Sequence, residues 1–230
     1  VKAEVGKKFS KKRLAVPHEQ TEFAVHAVYG KELGVRLLVP GNWQHPRFKR
    51  FTAKLQQTPL QIVRLLNVCR ELEQKGNPVR LYPDAEAFME QVLHRHRLQK
   101  MVAKIRKNPA RHPLRKELLK AELRPYQLDG IAFAAGAGRA ILADDMGLGK
   151  TIQGIGVAEF LRRHSGIGRV LVVCPTSLKS QWKMEVERFS DLSVQLVLGP
   201  APDRPEQYAS DTFFTICNYE QVLRDYLEIE

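Results

Sequence analysis

The residues best suited to chemistry lie in one stretch, 140–151, which reads AILADDMGLGKT. It ends in Gly149, Lys150 and Thr151, between an apolar segment predicted as a strand (139–143) and a predicted helix. A glycine-bearing turn in this position brings backbone N–H groups to phosphate oxygens, and the following helix adds its positive end. The pattern predicts a phosphate-binding loop in which Lys150 reaches the β- and γ-phosphates and the hydroxyl of Thr151 holds Mg²⁺.

The first position of this loop departs from the general phosphate-loop pattern. That pattern places a glycine five residues before Gly149, with four residues between the two glycines, whereas this chain has Asp144 there. The alternative is a plain strand–turn–helix connection with a lysine at the start of the helix. The predicted strand before the turn and the predicted helix after it favour the phosphate loop.

Alternating strands and helices must position that loop. Past residue 121 the sequence predicts strands at 170–174, 194–198 and 212–217, and helices at 125–133 and 176–189. The strand at 170–174 is continuously apolar, which is typical of a strand buried on both faces. The fold class expected is therefore α/β, a parallel sheet flanked by helices, preceded by a small basic α+β region.

Composition and predicted secondary structure divide the chain into four parts. We interpret residues 1–13 as a basic flexible leader, 14–90 as a small α+β accessory region, 91–120 as a basic helical connector, and 121–230 as the first part of the α/β lobe. The connector holds ten Lys and Arg against one acid, so a DNA-binding element, a brace docked on the lobe and a solvated linker all remain open.

Charge and composition exclude several classes of protein. Residues 1–122 carry 26 Lys and Arg against 11 Asp and Glu, whereas residues 123–230 carry 11 against 14, so the first half suits a polyanionic partner. No apolar run is long enough to span a bilayer, and we expect no membrane association. The three cysteines show no zinc-ligand spacing, and we expect no zinc. The location expected is cytoplasmic, with the nucleoid in a bacterium or the nucleus in a eukaryote.

Four blocks in order resemble the Swi/Snf-type ATPases, a branch of the superfamily two helicases. The loop 144–151 (DDMGLGKT) differs from the usual DEMGLGKT of that family only in Asp145. Residues 123–127 (LRPYQ) resemble the upstream adenine-recognition motif, and 171–182 (LVVCPTSLKSQW) resemble motif Ia. Residues 215–220 (TICNYE) resemble motif Ib more loosely. The resemblance covers residues 121–230 and implies a RecA-like lobe.

The resemblance also implies roles for individual residues. ATP with Mg²⁺ would be the cofactor, and Lys150 and Thr151 would act in catalysis, with Thr151 holding the metal through the nucleotide. The residues implied to bind the nucleotide are Gln127, Asp145, Met146, Gly147, Leu148, Gly149, Lys150 and Thr151. Those implied to contact the backbone of duplex DNA are Pro175, Thr176, Ser177 and Asn218. Thr176 and Asn218 could equally be ordinary helix caps.

By this resemblance the parent protein would be an ATP hydrolase that moves on double-stranded DNA. Residues 1–120 would recruit a protein partner. The chain contains no Asp-Glu dipeptide, the catalytic pair of motif II, so we expect it to stop before that motif and to be inactive alone. Two alternatives remain: a helicase that separates DNA or RNA strands, and a non-catalytic adaptor that only senses nucleotide.

Overall fold

The computed structural model describes residues 22–41 and 46–229. The chain divides into two compact units between Leu93 and His94. The basic leader predicted over 1–13 lies outside the described residues. No helix in the described ranges is long and apolar enough to cross a bilayer.

The first unit is built on a small mixed sheet. Strand β1 (Phe23–Val28) pairs antiparallel with β2 (Gly34–Leu38) and parallel with β3 (Val79–Leu81). Helices α1 (Lys49–Ala53) and α2 (Pro59–Gln74) come between β2 and β3. The alternation of apolar residues along β1 and β2 is the reason that one face of this sheet is buried.

Helix α2 begins and ends where its sequence predicts. The hydroxyl of Thr58 accepts from the backbone N–H of Gln61, whose side chain accepts from the backbone of Thr58 in return, and Pro59 occupies the first helical position. Gly76, with φ of 80°, ends the helix in a left-handed conformation. The buried face of α2 consists of Ile62, Leu65, Val68, Cys69 and Leu72.

The second unit carries a parallel sheet flanked by helices, which confirms the predicted fold class. Its strands are β4 (Val170–Val173), β5 (Val194–Leu196) and β6 (Phe214–Cys217), in the order β4-β6-β5. Helix α3 (Pro83–Lys107) starts in the first unit and continues into the second. The other helices are α4 (Leu114–Glu117), α5 (Pro125–Ala137), α6 (Lys150–Ser165), α7 (Lys179–Phe189), α8 (Pro205–Ala209), α9 (Tyr219–Arg224) and α10 (Tyr226–Ile229).

Helices α5 and α6 pack closely within this unit because small residues lie between them. A Cβ on Gly156 of α6 would collide with the side chain of Ile131 on α5. The core around this contact includes the fully buried side chains of Leu128, Ile155, Phe160 and Phe214. This packing sets the position of the N-terminus of α6, which follows the predicted phosphate loop directly.

The strand predicted over 139–143 is not formed. Residues 139–145 have no regular secondary structure in the described chain, and the side chain of Ile141 is 87% exposed. An apolar segment becomes a strand only where a neighbouring strand supplies its hydrogen bonds, and neither edge strand of the described sheet pairs with this segment.

The basic stretch after Leu93 contributes to the core of the second unit. Val102 and Ile105 of α3, together with Leu118 and Leu119, are buried among residues of α5 and α6. The guanidinium of Arg106 donates to Asp129 at 2.9 Å. Arg163 of α6 donates to the carbonyl oxygens at positions 117 and 118, at 2.8 and 3.0 Å. The apolar faces of this stretch pack inward while its charged groups remain at the surface.

Candidate nucleotide site and adjoining polar surface

Two glycines give the turn before α6 its shape. Gly147 and Gly149 have φ angles of 85° and 80°, in the left-handed region that residues with a Cβ rarely adopt. A Cβ on Gly149 would also lie 2.7 Å from the side-chain nitrogen of Gln127, whereas one on Gly147 would meet nothing within 4 Å. The backbone conformation therefore requires glycine at both positions, and close packing requires it again at Gly149.

Lys150 is the first residue of α6, and its side chain folds back over the loop. Its Nζ donates to the carbonyl oxygens of Asp144 and Asp145, at 2.8 and 3.0 Å. The positive end of this helix of 16 residues lies at the same place. The loop thus brings together the ammonium of Lys150, the N-terminus of α6 and backbone that the glycines leave open. This arrangement is suited to binding a polyphosphate group.

Asp144, which replaces the expected glycine, is held by a buried amide. Its Oδ2 accepts a hydrogen bond of 2.7 Å from Nε2 of Gln153, whose side chain is fully buried in α6. The side-chain oxygen of Gln153 lies against Gly130 of α5, where a Cβ would collide with it. The aspartate thus anchors the start of the loop to the two packed helices, and this anchor was not predicted from the sequence.

Gln127, predicted to read adenine, is buried and joins two parts of the site. Its Oε1 accepts from the backbone N–H of Arg124 at 2.9 Å, which caps α5. Its Nε2 donates to the carbonyl oxygen of Leu148 at 3.2 Å. The hydroxyl of Tyr126 donates to the same oxygen at 3.1 Å. The side chain of Gln127 is therefore not a solvated one on the helix surface. Its amide makes hydrogen bonds that hold the loop against α5.

One cavity brings most of the predicted nucleotide residues together. It has a volume of about 530 Å³ and is lined by Gln127, Met146, Gly147, Gly149, Lys150, Thr151 and Ile152, and by Gln181, Glu185 and Phe189 from α7. Asp145 and Leu148 do not line it, and they contribute their carbonyl oxygens to the hydrogen bonds described above. Sequence reasoning missed the α7 residues, although their spacing of four residues places them on one helix face.

The predicted nucleic-acid residues meet at one edge of the sheet. Pro175, Thr176 and Ser177 follow β4, and Asn218 follows β6, its parallel neighbour. The side-chain nitrogen of Asn218 donates to the hydroxyl of Thr176 at 2.7 Å. Asn218 also caps α9, accepting from the backbone N–H of Gln221 at 2.9 Å, whereas Thr176 caps no helix through its side chain.

A buried ion pair joins the segment after β5 to the segment after β6. The guanidinium of Arg204 donates to both carboxylate oxygens of Asp225, at 2.6 and 2.5 Å, and both side chains are less than 10% exposed. The hydroxyl of Tyr208 donates to Asp225 at 3.0 Å. The adjacent guanidinium holds the pKa of Asp225 below its usual value. This pair ties α8 to the turn after α9.

Comparison with known proteins identifies the family. The family described as the SNF2-related domain matches residues 60–230. The bovine DNA annealing helicase and endonuclease ZRANB3 is 46% identical over 72 residues, which are 31% of this chain and 6% of that protein. The chromatin-remodeling ATPase INO80 of Pyricularia oryzae is 38% identical over an alignment of 127 residues, which covers 47% of this chain and 6% of that protein.

Among solved structures, the SWI2/SNF2 ATPase core of Sulfolobus solfataricus in complex with dsDNA is similar at 35% identity. It has a TM-score of 0.43, with 48% of this chain and 24% of that chain covered. Since the family match extends over most of the sequence, the chain belongs to the SNF2-related domain family. The match begins at residue 60, within the first unit and upstream of the α/β lobe. The chain spans about 6% of the length of the two curated relatives above.

Proposed function

We propose that this chain is the ATP-binding part of the first motor lobe of a longer protein that moves on double-stranded DNA by hydrolysing ATP. The observation that carries the proposal is the loop before α6, where Lys150 and two left-handed glycines line one cavity. The names of the relatives, a chromatin-remodeling ATPase and a DNA annealing helicase, support the same reading.

In this proposal each residue of the loop has a defined task. The ammonium of Lys150 would exchange its two loop carbonyls for β- and γ-phosphate oxygens and stabilise the charge that develops on them. The hydroxyl of Thr151 would hold Mg²⁺, which neutralises phosphate charge when it is bound. Gln127 would offer its amide to the adenine edge, through the second N–H of its Nε2 and the second lone pair of its Oε1, which its hydrogen bonds to Leu148 and Arg124 leave available.

The exposed residues at the sheet edge would contact the DNA backbone. Pro175, Thr176 and Ser177 are exposed, and Thr176 is joined to Asn218 across the two loops. Hydroxyl, amide and backbone N–H groups bind phosphate oxygens without reading bases, so these contacts would position a duplex independently of its sequence.

We infer that the 230-residue chain by itself hydrolyses ATP negligibly. It contains no adjacent Asp-Glu pair for Mg²⁺ and the attacking water. An arginine finger, which the second lobe would supply, is alone worth roughly 10³–10⁵ in rate in related phosphoryl-transfer systems. Strong turnover by this chain alone would contradict the inference.

We further propose that the basic connector predicted over 91–120 serves as a brace on the motor lobe through its residues in the second unit, 94–120. Their buried residues Val102, Ile105, Leu118 and Leu119 support a brace over a solvated linker. Residues 1–120 would recruit a protein partner. The protein would be located with its DNA, at the nucleoid of a bacterium or in the nucleus of a eukaryote.

The direct test is ATP hydrolysis by a longer form that includes the second lobe, measured without nucleic acid, with single strands and with duplex. We expect duplex DNA to stimulate ATP hydrolysis strongly. Lys150→Ala should abolish hydrolysis, because the ammonium group that would bind the β- and γ-phosphates is lost. Lys183→Ala, at a lysine of α7 whose side chain is 43% exposed, is the matched control and should retain the stimulation.

The other outcomes separate the alternatives. Stimulation by single strands or RNA alone, together with strand displacement, would support a strand-separating helicase. Turnover that no nucleic acid stimulates would contradict the translocase. No turnover at all in the longer form would contradict it too and would favour a nucleotide-sensing adaptor.

A further inference from the structure

Lys179, the first residue of α7, is a buried lysine close to the edge of the sheet where Thr176 and Asn218 meet. Its side chain is 4% exposed. Its ammonium donates to the carbonyl oxygen of Val197 and to Oε1 of Gln221, the latter at 3.1 Å. Within the described part of the chain it makes these neutral contacts and no ion pair, and burial lowers its pKa. A buried ammonium without a carboxylate is costly, so its retention calls for a reason.

The contacts of Lys179 join three loops of the parallel sheet. The lysine itself follows the loop after β4, Val197 follows β5, and Gln221 lies in α9 after β6. Gln221 also donates from its Nε2 to the carbonyl of Val197 at 3.1 Å. One cation therefore fixes the separation of three chain segments that leave the sheet at the same edge.

A line of hydrogen bonds leads from this ammonium to the surface. Oε1 of Gln221 accepts from Lys179 and also from the backbone N–H of Asn218, at 3.0 Å. The backbone N–H of Gln221 donates to Oδ1 of Asn218, which leaves the side-chain nitrogen of Asn218 to donate to Thr176. The orientation of the exposed Asn218–Thr176 pair is therefore set from beneath by Lys179 through Gln221.

We propose that Lys179 is a positioning residue for nucleic-acid phosphate, which sets the Asn218–Thr176 pair and places a positive charge beneath it. The ligand class is the phosphodiester backbone, and the inference rests on the DNA-binding function proposed above. Salt screens the charge of a buried ammonium much less than the charge of a solvated lysine. It attracts phosphate to this edge without contributing any base recognition.

The test compares two lysine variants that lose the same charge from the same helix. In the longer two-lobed form, Lys179→Met should raise the duplex concentration for half-maximal ATPase stimulation about tenfold, because the Asn218–Thr176 pair loses both the charge-assisted hydrogen bond that positions it and the positive charge beneath it. The KM for ATP should change by less than twofold. Lys183→Met, at a half-buried lysine of α7, should leave the half-maximal concentration within twofold of the unmodified protein.

A double-mutant cycle with Thr176→Val distinguishes positioning from simple loss of stability. If Lys179 acts through Thr176, the combined variant should bind duplex no more weakly than Lys179→Met alone, so the two effects will not add. Gln221→Met breaks the same line of hydrogen bonds but keeps the charge of Lys179, so it should weaken duplex binding through lost positioning alone. This variant keeps the proposal testable if Lys179→Met does not fold.

Each remaining outcome has one meaning. Equal effects of the variants at Lys179 and Lys183, or additive effects of the Lys179 and Thr176 variants, would overturn the role of Lys179 and leave the translocase proposal standing. If duplex does not stimulate the unmodified protein, the proposed function itself fails, and the role of Lys179 fails with it.

Discussion

The conformation of the phosphate loop depends on two glycines. Gly147 and Gly149 share a left-handed backbone, but only Gly149 has a neighbour, the amide of Gln127, within reach of an added Cβ. An added Cβ would therefore cause backbone strain alone at Gly147, and both backbone strain and steric overlap at Gly149.

We predict that Gly149→Ala destabilises the second unit more than Gly147→Ala. Both variants strain a left-handed residue by about 1–2 kcal/mol. Gly149→Ala must also displace Gln127, at an additional cost of about 1–3 kcal/mol. Urea unfolding of the chain measures the difference, with Gly168→Ala as a control because a Cβ there meets nothing within 4 Å. Equal destabilisation by the two loop variants would contradict the packing that we describe around Gln127.

Gln127 illustrates how far residue type can predict a role. The resemblance to the Swi/Snf-type ATPases implies that Gln127 reads the adenine edge, and a side-chain amide suits this role because it both donates and accepts. Its buried bonds to Arg124 and Leu148 depend on how α5 lies against the loop. Sequence reasoning had no means of predicting the second role.

At the scale of elements, α6 acts as a platform for the loop that precedes it. It is fixed to α5 by the contact of Gly156 with Ile131, and it reaches back to Asp144 through Gln153. The loop is therefore anchored at its first residue by a side chain nine positions later.

We predict that Gln153→Leu weakens nucleotide binding by about tenfold, the order expected when a carboxylate loses a hydrogen bond. Asp144 would be freed from α6, and the loop would sample more conformations. Titration of a fluorescent ATP analogue into the longer form measures the effect. Gln99→Leu, on an exposed residue of α3, should have no effect. Unchanged affinity in Gln153→Leu would show that the loop holds its shape without this anchor.

At the scale of the whole molecule, the chain forms two units with separate cores. In the second unit, contacts between residues far apart in sequence hold the loops at the edge of the sheet. Arg204 and Asp225, 21 positions apart, form such a contact where both side chains are buried. Because the carboxylate is ionised there, the stability of this unit depends on pH.

We predict that the second unit loses stability in acid through Asp225. Its folded pKa is lowered by Arg204, so the stability it contributes is present above the unfolded value of about 3.9 and is lost as the pH falls through the folded pKa. Asp225→Asn should lower stability at neutral pH and flatten the acid dependence, since Arg204 would be left buried without a counter-charge.

Chemical denaturation between pH 7 and pH 2 measures this pH dependence. Asp191→Asn, on a carboxylate that is 89% exposed, is the control and should leave the acid dependence intact. An acid dependence of Asp225→Asn identical to that of the unmodified chain would show that other groups govern the loss of stability.

The sequence by itself determined the local features of this protein. Turns, helix caps and periodicity are short-range effects, so they follow from neighbouring residues. They account for the turn with its glycines and lysine, for the capped helix α2, and for the alternation of strands and helices that leads to a parallel sheet. Tertiary structure alone decided which segments pair. The apolar stretch 139–143 forms no strand, and β6 lies between β4 and β5. Strand pairing and the burial of Lys179, Gln153 and Gln127 depend on contacts between distant residues, which a linear pattern does not contain.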